Sequence, residues 1–441
     1  MESHVFDDTK PTTTLPIEII SEILIPFRPR FTTSDRRYID IFARWQSAYF
    51  LALHQLAQWR HVCRTWYHAI TPILYSNIII HFTPTHQVSR RLQFAQHHPH
   101  LVRALIIRAG GVQEELSDVR IHLLEAIRKC DGLVRLEFYD LPSLFAGTNS
   151  GDIERYLYGI APPTLTTLVF RSSLPVILDE ETGSPRTIQV MTSILRGLGP
   201  MIERIPDLQL LVLSPIDWNW TYEGHLSLPT RLLSLERLTL YGFDVEFMSN
   251  FLSRVSNPGN IIPSGSILES QVSQVSVPLR DLTISRISNS HIDISSIYSL
   301  FEINNIGRYL TSLRIQKLHI HNILAQPETP ITILGLCPSL ERFFFIAHSR
   351  TSWIDVVPPD CRGYVSDLGI VPHLSYRAST ERFTQVIRQL REVWGPELKR
   401  LHLNLEADYA AGPLTNKEWV EVEQACREVG LELVEDTYAI P

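Results

Sequence analysis

The sequence predicts an α/β protein: a small all-α module, then an irregular α/β solenoid whose strands form a parallel sheet. A phrase of the form Leu-x-x-apolar-x-apolar returns eight times, at LVRLEF 133, LTTLVF 165, LQLLVL 208, LERLTL 235, LRDLTI 279, LTSLRI 310, LERFFF 340 and LKRLHL 398. Amphipathic helical segments lie between the copies. The first 80 residues carry helical spacing with no such phrase.

Elements follow in chain order. Residues 1–14, MESHVFDDTKPTTT, read as a disordered tail with neither the basic nor the apolar region of a leader. Thr13 or Thr14 caps a short helix, Pro16 suits its first turn, and Ile17, Ile20, Ile23 and Leu24 make an apolar side. Further on, Phe42, Trp45, Tyr49, Leu53, Leu56, Trp59, Cys63, Trp66 and Ile70 step by three or four. That spacing predicts one long helical face starting near Tyr38 and ending at Thr71, before Pro72. Such a face normally belongs to a core.

The pieces Leu15-Pro16-x-Glu18-Ile19, then Val62-Cys63-Arg64-x-Trp66, then Pro72-x-Leu74-Tyr75 with Ile78 to Ile80, together resemble an F-box over residues 15–81. The resemblance implies a three-helix module that docks on a Skp-type adaptor, and through it a cullin. It gives Leu15, Pro16, Ile19, Ile20, Ile23, Leu56, Val62, Cys63 and Trp66 as adaptor-binding residues. This chain departs from the family in spacing: residues 25–54 form an insertion between the two halves. The aromatic residues of the insertion are expected to pack on the first solenoid unit, around Leu101 to Ile107.

From residue 82 to 441 the repeated phrase places apolar side chains at alternate positions, burying one side of a short strand, with the first leucine tucked in from the preceding turn. HLVRALII at 100 reads as an opening unit and LELV at 431 as a closing one. Leu141, Ile216, Phe243, Ile287 and Leu318 follow eight places after the first leucine, so the units resemble leucine-rich repeats with an apolar plug where asparagine is usual. Helices are predicted at 117–130, 245–255, 383–394 and 416–429. Two stretches, 256–278 and 351–380, read as loop-like insertions.

Positions three, five and seven of each phrase point away from the buried leucines. They carry Arg135, Arg171, Arg237, Arg314, Arg342 and Arg400, against Glu137 and Asp281. This stripe is opposite in sign to the chain's net charge of -7 and predicts a substrate with an acidic or phosphorylated segment. Packing of arginine stems over their neighbours is the plainer alternative.

Other classes find little support. The chain is 441 residues long, 44% hydrophobic and 20% charged, an ordinary soluble composition. Its acidity argues against a nucleic-acid binder, and no run approaches a membrane span. Cys63, Cys130, Cys337, Cys361 and Cys426 form no CxxC pair, which fits reduced thiols and a cytoplasmic or nuclear place. There is no P-loop, GxGxxG, HExxH or GxSxG phrase, and His319 and His321 have no partner to complete a metal set. No cofactor, metal or catalytic residue is expected. The sequence therefore reads as a non-catalytic substrate receptor of a Skp/cullin/F-box ubiquitin ligase, with a scaffold that never joins a ligase as the alternative.

Overall fold

The structure is a computed structural model. It describes residues 17–24, 51, 53–82, 87–109, 117–139, 144–145, 148–171, 185–214, 232, 234–241, 243, 245–255, 279–285, 301–302, 306–318, 335–347, 365–371, 380–403 and 416–435. Twelve strands make one all-parallel sheet in strict sequence order. They are β1 (Asn77–Phe82), β2 (Ala104–Ala109), β3 (Arg135–Tyr139), β4 (Thr167–Arg171), β5 (Leu210–Ser214), β6 (Arg237–Tyr241), β7 (Asp281–Ser285), β8 (Ser312–Leu318), β9 (Arg342–Ala347), β10 (Asp367–Val371), β11 (Arg400–Leu403) and β12 (Glu432–Glu435). The fold is α/β and solenoid-like.

All eight repeated phrases become strands, and the opening and closing units become β2 and β12. The first leucines, from Leu133 to Leu398, are buried in one continuous core beside the fourth and sixth positions, such as Leu136 and Phe138. Phe138 stacks on Phe170 of the next strand at 5.2 Å. A backbone device sets the phase of each unit. From Arg103 to Ser366, the carbonyl of the residue just before a strand accepts two successive N–H groups of the next unit: Arg103 from Val134 and Arg135, Val134 from Thr166 and Thr167, and so on along the sheet. The alternation therefore starts in the same place every time.

Helices return the chain from strand to strand. Those over Ser117–Lys129, Val245–Val255, Thr380–Trp394 and Asn416–Glu428 fall on the predicted segments. Each buries a stripe, as with Ile387, Leu390 and Trp394, or Val422, Ala425 and Cys426. Gln87–His97, Ser150–Gly159 and Pro185–Glu203 fill three further intervals. The last helix stops at Gly430, whose φ of 71° suits a residue without a Cβ, and the N–H of Leu431 closes back on the Cys426 carbonyl at 2.8 Å. Arginines from neighbouring units also cap helix ends: Arg128 Nε donates to the Gly159 carbonyl at 3.0 Å and Arg204 to that of Tyr158 at 2.8 Å.

Four expectations change. Ile78 to Ile80, read as the close of the small module, lie within β1, so the sheet already begins at Asn77, before residue 82. The segment 351–380, read as a loop-like insertion, contains β10, whose Val365-x-x-Leu368-x-Ile370 is the same phrase with a valine in first place. The helix predicted through Cys63 breaks at residues 60–63. The helix Arg64–Ser76 then continues through Pro72. Pro72 withholds an N–H from the His68 carbonyl, but both residues are exposed, where water satisfies the orphan, and Ile73 and Leu74 beyond it pack on the small core. The insertion at 256–278 lies outside the described residues.

Candidate functional site

Two surfaces hold the residues singled out by the sequence. The first is a helical unit ahead of the sheet: α1 (Ile17–Leu24), a helical stretch at 53–59, and α2 (Arg64–Ser76). Its core is Ile20, Leu24, Leu56, Ala69 and Ile70, with Trp59, Trp66, Ile73 and Leu74 packed around them. The break between the two later pieces explains the pair of indoles. Seven residues of straight helix would hold Trp59 and Trp66 about 10 Å apart. Instead Cys63 is extended, with φ of -162°, and the rings meet edge to face at 6.1 Å. Arg60 locks the bend by donating to the Tyr75 hydroxyl at 2.9 Å.

Of the residues implied in adaptor binding, Ile20 and Leu56 are wholly buried and hold this unit together. Cys63 and Trp66 are half-buried. Ile19, Ile23 and Val62 stand out, 47%, 43% and 60% exposed. Ile19 and Ile23 are one turn apart and share a helix face. Leu15 and Pro16 lie outside the described residues, as does most of 25–54. Leu53 is described, and it packs with Ile79 of β1 and Ile106 of β2, on the sheet face opposite the main core.

The second surface is that same opposite face, farther along. The structure puts all six arginines in the register positions expected, but treats them differently. Arg135 is ion-paired with Glu137, a buried carboxylate that also accepts from the Tyr139 hydroxyl at 2.9 Å. Arg342 reaches Asp281 two strands away at 3.4 Å. Arg400 donates to Asp367 at 2.9 Å, Ser366 Oγ to the same carboxylate at 2.6 Å, and His402 Nε2 is 3.0 Å from it. Burial works to raise the Asp367 pKa, yet the hydrogen bonds from Ser366, His402 and Arg400 hold it below its ordinary value. The Arg314 guanidinium lies 4.5 Å from the Phe344 ring centroid, and Phe344 meets His402 edge on at 5.2 Å, over Gly369 of the intervening strand. Arg237 is exposed and Arg171 is buried.

The balance of charge thus differs from the sequence expectation. Asp367 was hidden inside the supposed loop, and three of the six arginines are matched by a carboxylate on this face. The valine-headed phrase at Val365 was the signal that could have found it. Among the described residues no group of three or more His, Cys, Asp or Glu could hold a metal, and no helix is long and apolar enough to cross a membrane. No family model matches the chain, and no curated protein matches it.

Proposed function

We propose that the chain is the substrate-receptor subunit of a Skp/cullin/F-box ubiquitin ligase, with the helical unit on the adaptor and the leucine-rich-repeat-like sheet carrying a protein substrate. The observation that carries this reading is the exposure of Ile19, Ile23 and Val62, in the two pieces of sequence that resemble the adaptor-contacting parts of an F-box. Isoleucine and valine left in water beside a complete core suit a hydrophobic anchor cluster for a partner. The receptor positions substrate and does no chemistry itself. Its substrate presents an acidic or phosphorylated segment to the arginines of the sheet. Because solenoid-like folds host many binding roles, the adaptor contact separates this reading from a scaffold outside any ligase.

The test replaces Ile19 and Val62 together with Asp. Both side chains lie outside the small core, so the thermal transition should stay where it is while co-purification of the Skp-type adaptor and the cullin is lost. Full retention of the adaptor by the folded variant would overturn the reading in favour of the scaffold.

A further inference from the structure

β12 is the last strand of the sheet and bonds to β11 alone among the described residues. The Glu432 N–H donates to the Lys399 carbonyl at 2.8 Å, and because the peptide is trans, the Leu431 carbonyl of that same group points the opposite way, away from β11. Backbone groups alternate sides along a strand, so the N–H and the carbonyl of Leu433 face outward too. In earlier units the carbonyl that matches Leu431 is taken, as that of Ser366 is by the Lys399 and Arg400 N–H groups. At β12 the same donors and acceptors stand ready with no strand to meet. Charge here follows the register: Arg342, Asp367, Arg400 and Glu432 lie side by side on successive strands and alternate in sign. Arg400 gives its guanidinium to Asp367, and the exposed Glu432 is left without an ion pair among the described residues. Beside it Val429 and Leu433 are half-buried against the main core, and Val434 is half-buried on the other face.

We propose that the β12 edge is a docking site for an extended segment of a protein partner, which adds as a further parallel strand with Lys or Arg in register with Glu432 and an apolar residue in register with Leu433. Backbone hydrogen bonds to Leu431 and Leu433 hold the segment, as in other strand additions to an open sheet edge. Side chains set the choice. Glu432 takes a cation, continuing the alternation of Arg342, Asp367 and Arg400, and the rim made by Val429 and Leu433 takes the apolar residue that follows it. The sheet itself uses this pattern at Arg237-Leu238-Thr239-Leu240, where Arg237 stands in register with Asp281. The site lies at the opposite end of the strand order from the helical unit, so it serves a contact other than the adaptor.

The test uses the full chain and a fluorescent peptide, Lys-Arg-Leu-Thr-Leu-Lys blocked at both ends, which carries the phrase of β6. Wild-type protein is expected to bind it, and the Leu433 amide, fast in hydrogen exchange in the free chain, should slow while that of Glu432, already bonded to Lys399, changes little. Glu432→Lys alters an exposed position and should keep the melting temperature, yet bind the peptide at least about fivefold more weakly and prefer a version with Glu in place of Arg. A peptide N-methylated at its Arg and Thr keeps every side chain but loses the N–H groups due at the Leu431 and Leu433 carbonyls. It should bind at least about tenfold more weakly. No binding by wild type, equal binding of the N-methylated peptide, or equal binding to Glu432→Lys would each overturn the proposal. So would slow exchange at Leu433 in the free chain, because the edge is then already filled: by the chain's own residues where the protection is independent of concentration, and by a second copy where it grows with concentration.

Discussion

The ring of Phe344 occupies the space a Cβ on Gly369 would need: an added methyl carbon would stand 1.7 Å from Phe344 Cδ1. The glycine lets the aromatic ring lie across β10 and touch His402 on β11. Gly369→Ala must therefore expel the ring from both the His402 and the Arg314 contacts. We expect a loss of about 1–3 kcal/mol in denaturant unfolding. Phe344→Ala in the same chain should restore part of it, a coupling a double-mutant cycle would read directly.

Asp367 makes stability depend on acid. Its folded pKa lies below the ordinary value of 3.8, so its contribution is fully present above that value and fades as pH falls through the folded pKa. Asp367→Asn should be less stable than wild type at neutral pH, and the gap should narrow below about pH 4. A gap that stays constant down to pH 2 would show that the carboxylate is not held by Ser366, His402 and Arg400.

Thiol reactivity gives a test of burial. Burial, reinforced by Asp131, lifts the Cys130 pKa to about 11; burial lifts Cys337 to about 12, and burial with Glu423 lifts Cys426 to about 12. Under native conditions iodoacetamide should spare these three and label the half-buried Cys63, as peptide mass spectrometry would show. If the helical unit docks on an adaptor, added adaptor should slow labelling at Cys63.

Glu137 is a buried carboxylate held by Arg135 and the Tyr139 hydroxyl. Arg135→Met leaves it with the Tyr139 hydroxyl alone and should cost roughly 3 kcal/mol. Replacing both, Arg135→Met with Glu137→Leu, should recover part of that, because the Glu137 carboxylate is then no longer buried without the cation it pairs with. Equilibrium unfolding of the three proteins settles it.

How far the sequence could be read follows from what alternation reports. Where one strand face packs on helices and the other meets polar neighbours, as in Leu136 and Phe138 against Arg135 and Glu137, period two is visible in the letters. In β1 it vanishes. Ile79 is buried on the far face by Ile106 and Leu53 while Ile78 and Ile80 join the main core, so three isoleucines in a row carry no period. Helical spacing, in turn, survives a break: Trp59 and Trp66 keep their phase whether the helix runs on or folds back to bring the rings together. Pairings such as Arg342 with Asp281 join residues 61 apart and depend on strand order, which no local pattern contains. The exposed Ile19, Ile23 and Val62 could be picked out from sequence, but not separated from Ile20 and Leu56, which the same helical unit buries.

A parallel sheet in which every strand is the template for the next has no internal reason to stop growing, and chains of this kind risk stacking end to end into fibres. At the first edge β1 grows straight out of α2, which packs against α1. At the last, β12 is four residues long, begins with Glu432, ends with Glu435, and pairs with β11 alone among the described residues. A second molecule adding its own β12 there would set glutamate against glutamate on a very short ladder, which disfavours pairing. Two carboxylates on a four-residue edge strand thus set like charge against like charge wherever a second β12 would pair with it.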